Sequence, residues 1–206
     1  MITEISSEYE KRSSPPRFPC QVCYHGPPTY PQSARVSPNQ DPEKTRQLSV
    51  AYHEAGHAVM ATIVGRPIQK VTISAANLST GGLRLGACNI RKGRSKPTKD
   101  WLEDEALIFF AGMVAESHVT GQYCERGAGQ DLRVIKRLLS QTRATSQRQL
   151  EKLERRLLDK TEYLLAEEPH AKAIEMIAGE LLEKTTISGR AVVHLYNQAL
   201  AQFSKP

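Results

Sequence analysis

Two histidines and a glutamate stand close together in the stretch AYHEAGHAVM, residues 51–60. His53 and His57 are four residues apart, so on a helix their side chains project from the same side, about 40° apart. Two imidazoles placed in this way can occupy two corners of a tetrahedral zinc site. Glu54 lies about 100° from His53 around the helix, from where its carboxylate can reach a metal-bound water without ligating the metal. The H-E-x-x-H spacing therefore predicts hydrolytic metal chemistry with Glu54 as the general base.

The alternative is a core helix in which hydrogen bonds satisfy both histidines. With six histidines in 206 residues, chance alone produces the pattern in roughly one such chain in a hundred. The local context favours a metal site, because the motif lies in the middle of a strongly periodic segment. Small residues flank it and would let another backbone or a substrate come close: Ala51, Ala55, Gly56 and Ala58.

A catalytic zinc site needs a third protein ligand and an open fourth position. Candidates further along the chain are Glu116, His118, Glu125, Asp131 and His194. Glu116 belongs to an apolar helix, where a carboxylate could be a ligand or a group paired with one. Asp131 follows GAGQ at the start of a helix, where its side chain could equally cap the N-terminus. Spacing alone leaves the third ligand open.

The elements that must position these residues follow from hydrophobic periodicity. A helix is predicted from about residue 44 to Gly65, which ends it together with Pro67. The segments IQKVTIS and LRLGACNI, joined by NLSTGG, predict a hairpin or a pair of sheet strands. After the basic loop RKGRSKPTK, Asp100 begins the apolar helix ALIFFAGMVAESHVTG, and Gly121 ends it.

Four more helices are predicted in the second half of the chain. The first is QDLRVIKRLLSQ, and the second contains regularly spaced leucines and ends at Pro169. The last two lie near residues 170–184 and 188–203, and Thr186 or Ser188 caps the final one. The predicted fold class is mainly α with a small β-sheet, an α+β arrangement.

Composition separates a leader from a single main domain. Residues 1–43 contain most of the 12 prolines and have no apolar periodicity, so they predict a disordered, Pro-rich leader. Residues 44–206 are predicted to form one domain. The chain has no 18-residue apolar run and no signal-peptide layout, which predicts a cytoplasmic protein.

Three further features have modest functional weight. CQVCYH, with Cys20, Cys23 and His25, is half of a structural zinc site, but a flexible tail is favoured because no further ligands are nearby. Cys88 and Cys124 are expected to be reduced packing thiols. The net charge of +6 and the basic run at 132–160 could suit nucleic acid. We favour a solvated helix face, because no aromatic residue is interleaved.

Four blocks in the right order resemble the peptidase domain of FtsH-type zinc metalloproteases: AYHEAGHAVM, KVTI before a glycine-containing strand, FFAGMVAES, and GAGQDLRVIKRLL. The similarity covers about residues 46–200. It implies a zincin-like helical metallopeptidase domain with Zn²⁺ bound by His53, His57 and Asp131, and with Glu54 as the catalytic base. The implied function is a metalloendopeptidase that hydrolyses peptide bonds of unfolded or damaged proteins through a zinc-activated water.

The resemblance does not include an ATPase module. The phosphate-loop pattern G-x-x-x-x-G-K-[ST] is absent from the sequence, so any ATP dependence is expected to come from a separate ATPase. A homo-oligomer is a further expected association. The alternative function is a catalytically silent peptide-binding or regulatory module of the same fold, associated with a separate ATPase or a membrane protein. The intact His53, Glu54, His57 and Asp131 favour the enzyme.

Overall fold

A computed structural model describes residues 41–78, 82–124, 127–142, 144 and 146–204. The predicted leader, including Cys20 and Cys23, lies outside these residues except for its last three positions. The predicted mainly α fold with a small sheet is confirmed. The helices are α1 Pro42–Ile63, α2 Trp101–Thr120, α3 Gly129–Leu139, α4 Gln147–Ala166, α5 Glu168–Lys184 and α6 Gly189–Phe203. The strands are β1 Ile68–Thr72, β2 Ala76–Leu78, β3 Gly82–Arg84, β4 Ala87–Ile90 and β5 Thr186–Ser188.

Helix α1 is the central element of the fold. It begins where the Asp41 side chain accepts a hydrogen bond from the Glu43 N–H, which satisfies one of the free amides of the first turn. Its second half is buried on nearly every side, because α2, α5 and the sheet all pack against it. At Gly56 an added Cβ would lie 2.3 Å from the Ala111 carbonyl oxygen of α2. The two helix backbones therefore approach each other more closely than any larger residue would allow.

Helix α2 has the two ends that the sequence predicts. The Asp100 side chain accepts hydrogen bonds from the amides of Leu102 and Glu103. Gly121 ends the helix in the left-handed region, with φ 75°, where glycine has no steric cost. Between these ends α2 is apolar and buried on several faces, so it lies inside the fold and not on its surface.

The main sheet has three antiparallel strands in the order β4-β1-β5, and β2 and β3 form a separate hairpin. The predicted strand pair is confirmed as β1 with β4, where Val71 lies opposite Cys88. Strand β5 was not predicted from the sequence, in which Thr186 and Ser188 were candidates only for a helix cap. Ser188 does cap α6, by accepting a hydrogen bond from Ala191 N–H, but the same short segment also pairs with β1.

The α4–α5 junction differs from the prediction. Helix α4 ends at Ala166, before Pro169, and Glu167 is extended between the two helices. Pro169 lies in the first turn of α5, where its missing N–H would have had no helical partner. In the described part of the chain, no helix is long and apolar enough to cross a membrane.

Candidate metal centre

Three side chains from two helices converge at one point beside α2. His53 and His57 come from α1, and Asp131 comes from the first turn of α3. The Oδ2 atom of Asp131 lies 3.0 Å from His53 Nε2 and 3.3 Å from His57 Nε2. Among the residues that the structure describes, these three form the group of His, Cys, Asp and Glu side chains that could hold a metal ion.

These separations suit a tetrahedral metal. Zinc holds nitrogen and oxygen ligands at about 2.0–2.1 Å, which places neighbouring ligand atoms about 3.3 Å apart. The two measured contacts to Asp131, 3.0 and 3.3 Å, differ little from that spacing. Two imidazoles and one carboxylate are also a donor set that zinc accepts in catalytic sites. All three ligand atoms lie within 4.8 Å of one another, so the group is close enough together to hold a zinc ion.

Gly112 of α2 provides the space next to the two imidazoles. A Cβ added there would lie 2.6 Å from His57 Nε2 and 2.7 Å from His53 Nε2. Any residue larger than glycine would thus fill the volume that faces both ring nitrogens. The backbone of α2 at Gly112 therefore forms one wall of the centre. This explains why the AG pair in FFAGMVAES contains a glycine.

The other ring nitrogen of each histidine is held by α2. His57 Nδ1 lies 2.7 Å from the Ile108 carbonyl oxygen, which can only accept, so Nδ1 donates this hydrogen bond and Nε2 is the ring nitrogen that faces Asp131. His53 Nδ1 lies 3.0 Å from Glu116 Oε2. Ser49 in turn donates a 2.5 Å hydrogen bond to Glu116 Oε1. Such outer partners orient metal-binding histidines and raise their basicity.

The carboxylates dominate the electrostatics of the metal-free centre. Burial alone would lower the pKa of His53, but hydrogen bonds with Asp131 and Glu116 outweigh it and raise the pKa to about 10. Burial would raise the pKa of Asp131, whereas its bonds with the two histidines hold that pKa far below the usual range. Asp131 is therefore ionised at any neutral pH, and an incoming cation replaces the proton shared with His53.

Glu54 lies beside this group and against the start of β4. Its side chain is buried, and a Cβ added at Gly86 would lie 2.6 Å from Glu54 Oε1. Gly86 immediately precedes β4, which pairs only with β1 and leaves its second edge open within the described sheet. The carboxylate thus lies at the junction between the histidine helix and an edge strand.

No other sequence candidate among the described residues belongs to this group of three. His118 follows Glu116 by two residues on α2, about 200° further around the helix, and His194 lies on α6. Glu125 is outside the described residues. Glu116, predicted as a ligand or a paired group, contacts His53 Nδ1 and not the ring nitrogen that faces Asp131. Cys124 accepts a 3.3 Å hydrogen bond from the Gly127 amide.

Three contributors were not singled out from the sequence. Gly112 and Gly86 approach the histidines and Glu54 by their backbones, and Ser49 supports Glu116. A partial signal was available for Ser49, which lies one turn before His53 and therefore on the same helix face. The two glycines had no comparable signal, because the space that a glycine leaves depends on which side chain faces it.

The family model for Peptidase family M41 matches residues 41–147, more than half of the chain. The chain belongs to peptidase family M41. Its curated relatives include the ATP-dependent zinc metalloprotease FtsH of Protochlamydia amoebophila, 34% identical over 92 residues, which are 44% of this chain and 10% of that relative. FtsH 1 of Thermomicrobium roseum is 36% identical over 88 residues, 42% of this chain and 13% of the relative. The M41 similarity thus spans only about an eighth of those proteins' length or less.

Proposed function

We propose that this M41 chain is a zinc metalloendopeptidase, with His53, His57 and Asp131 as the zinc ligands and Glu54 as the catalytic base. The observation that carries the proposal is the convergence of two imidazoles and one carboxylate, whose ligand atoms lie within 4.8 Å of one another beside a glycine backbone. Relatives named as zinc metalloproteases support zinc over other divalent metals. The two imidazoles support the same choice, because imidazole nitrogen suits zinc better than it suits magnesium or calcium.

These three residues would hold Zn²⁺, which would supply Lewis-acid chemistry by polarising a carbonyl oxygen and by lowering the pKa of a water molecule towards about 7. Glu54 accepts a proton from the attacking water as the new C–O bond forms. It then delivers that proton to the amide nitrogen as the C–N bond breaks, which leaves a carboxylic acid and a free amine. Glu116 and Ser49 hold the His53 ring in place, and the Ile108 carbonyl does the same for His57.

The substrate is proposed to bind as an extended strand along the open edge of β4. Strand addition supplies backbone hydrogen bonds to any sequence, which suits an enzyme for unfolded or damaged proteins. The position of Gly86 supports this path, because Gly86 immediately precedes β4 and lies against the Glu54 carboxylate. A folded protein offers no free strand of this kind, so we expect unfolded chains to be cleaved and their folded forms to resist.

The deciding experiment compares the wild type with Glu54→Gln, measuring bound zinc and cleavage of an unfolded protein. We expect both proteins to retain zinc and only the wild type to cleave. Glu151→Gln, the same change at an exposed position on α4, serves as the matched control and should cleave normally. A wild type without metal, or equal cleavage by the wild type and Glu54→Gln, contradicts the proposal. Zinc without cleavage by the wild type would favour the silent peptide-binding module.

We also propose that residues 44–206 act as one peptidase unit and that ATP-driven unfolding, if it serves this unit, comes from a separate ATPase. Helices α5 and α6 and strand β5 lie beyond the M41 match but pack on α1 and complete the sheet. ATP added to the isolated chain should leave cleavage of an unfolded substrate unchanged. Stimulation by ATP alone would contradict a separate source.

A further inference from the structure

An open cleft of about 450 Å³ lies between α2 and α3, next to the metal centre. Phe109 and Val134 both line the cleft. Phe109 precedes Gly112 by three residues on α2, and Val134 follows Asp131 by three residues on α3. Each of these steps is about 4.5 Å along a helix. The ring of Phe109 also lies edge-to-face with that of His57, with centroids 6.4 Å apart. One end of the cleft therefore lies near the metal centre, at Phe109 and Val134, and the cleft extends from there between the two helices.

The floor of the cleft is apolar and its mouth contains an exposed aromatic side chain. Phe109, Val134 and Leu138 form the floor, and Trp101 stands at the first residue of α2 with 53% of its surface exposed. A tryptophan left open to water beside an apolar surface is a favourable contact for a large apolar group. This lining suits an aromatic or large aliphatic side chain of a bound peptide.

Three arginines also line the cleft, but only one is available to a ligand. Arg66 Nε lies 2.8 Å from Glu105 Oε1, and Arg94 pairs with Asp104. Both guanidiniums are thus matched by a neighbouring carboxylate. Arg137, which is exposed on α3, has no hydrogen bond or ion pair from its guanidinium to any residue in the described part of the chain. The cleft therefore has one uncompensated positive charge, near its far end.

We propose that this cleft selects substrate segments in which a large apolar side chain stands next to a carboxylate, and that Arg137 is the specificity-determining residue. This inference rests on the proposed peptidase function. The apolar group packs on the floor, and the carboxylate accepts hydrogen bonds from Arg137, whose planar fork suits a carboxylate geometrically. The carboxylate can belong to an Asp or Glu side chain or to the C-terminus of the peptide.

Trp101 makes the cleft directly observable. It is the single tryptophan of the chain, so its emission reports events at the mouth of the cleft without labelling. Tryptophan-free peptides with a Phe followed by Asp, Asn or Lys should shift this emission when they bind to the full chain. Making each peptide as a C-terminal acid and as an amide separates the two sources of carboxylate. Binding is measured on zinc-loaded Glu54→Gln, and cleavage on the wild type.

We expect the Phe-Asp peptide to bind and to be cleaved about fivefold better than Phe-Asn, the effect of one exposed ion pair, and Phe-Lys to be worst. Arg137→Glu should make the Phe-Lys peptide a better ligand and substrate than the Phe-Asp peptide. Arg137→Gln should make the peptides bind and react about equally. Arg148→Glu, a charge reversal at an exposed position of α4, should leave the order unchanged. A stronger effect of the C-terminal acid than of the Asp side chain would identify the terminus as the source of the carboxylate.

The outcomes separate this inference from the proposed function. If no peptide is cleaved, but Trp101 emission shifts and Arg137→Glu reverses the binding order, the cleft site stands and the peptidase function fails. If all peptides are cleaved with equal kcat/KM and Arg137→Glu changes nothing, the peptidase function stands and the cleft site is overturned. Absence of any emission shift with all peptides also overturns the cleft site.

Discussion

Replacing Gly112 by alanine tests the geometry of the metal centre with a single methyl group. The added Cβ would lie 2.6 Å from His57 Nε2 and 2.7 Å from His53 Nε2, whereas ordinary contacts begin at 3.4 Å. Both nitrogens must therefore retreat by about 0.7–0.8 Å. They are held against that movement, because His57 Nδ1 is bonded to the Ile108 carbonyl at 2.7 Å and His53 Nδ1 to Glu116 at 3.0 Å.

The required movement is several times larger than a zinc site tolerates. Metal–ligand distances in a sound site vary by about 0.2 Å. Loss of an outer partner alone weakens metal affinity by about 10–100-fold, so displacement of both ligand nitrogens should weaken it by at least a hundredfold. At a zinc concentration 100 times the wild-type Kd, the wild type gains about 2.7 kcal/mol of stability from the metal, and such a variant gains only about 0.4 kcal/mol.

The free energy of unfolding without zinc should change less in Gly112→Ala than the stability gained from zinc. Alanine in place of glycine favours a helix by about 1 kcal/mol, which offsets part of an overpacking cost of about 1–3 kcal/mol. Gly179→Ala in α5 is the matched control, because nothing lies within 4 Å of its added Cβ. It should raise the free energy of unfolding by up to about 1 kcal/mol and leave zinc affinity unchanged.

The assay is a zinc titration against a competing chelator, combined with thermal unfolding of each variant with and without zinc. We expect zinc to raise the Tm of the wild type and of Gly179→Ala, but hardly that of Gly112→Ala. If Gly112→Ala binds zinc within a few-fold of the wild type, the metal does not lie between the two Nε2 atoms, and the ligand assignment is wrong.

Three further predictions test separate parts of the structure. Asp131→Ala should weaken zinc binding, in a chelator competition, far more than Glu116→Gln, for which about 10–100-fold is expected; equal losses would contradict Asp131 as the ligand. Gly86→Ala places a Cβ 2.6 Å from Glu54 Oε1, so it should abolish cleavage while zinc remains bound, and unchanged kcat/KM would refute the contact. Burial lowers the pKa of His118 to about 4, so above pH 6.5 the ring is neutral in both the folded and the unfolded chain and costs no stability. As the pH falls from 6.5 towards 4, only the unfolded chain takes up a proton, and the free energy of unfolding decreases. Urea unfolding of the chelator-treated proteins gives the free energy of unfolding of the wild type and of His118→Gln. The difference between these two free energies should change by on the order of 2 kcal/mol between pH 7 and pH 5, and parallel pH profiles would contradict the role of His118.

The parts of the fold that depend on neighbouring residues could be predicted from the sequence. The spacing of His53 and His57 fixes their common face on any helix, and the ends of α2 at Asp100 and Gly121 follow from local capping chemistry. Asp131 could not be assigned by the same means. Its contact with His53 joins residues 78 positions apart, and it depends on the packing of α3 on α2, which itself packs on α1.

The missed strand β5 has a related cause. Three residues are too few for a periodic pattern, and the partner of Thr186 is Thr72, 114 positions earlier. Gly189 shows how closely these segments approach, since an added Cβ would lie 1.9 Å from the Ile68 carbonyl oxygen. The need for glycine at that position becomes visible only when both strands are in place.

Strand β5 and helices α5 and α6 also determine when the buried surface of α1 becomes covered during synthesis. The zinc-binding motif and every residue of the M41 match lie before residue 148, so a ribosome makes them first. Strand β5, which pairs with the second edge of β1, and helices α5 and α6, which pack on the other side of α1, are made after them. A chain that stops between residues 148 and 167 would contain every proposed zinc ligand but leave in water the surface of α1 that α5 covers. Such a product should aggregate or be degraded, although its motif is intact.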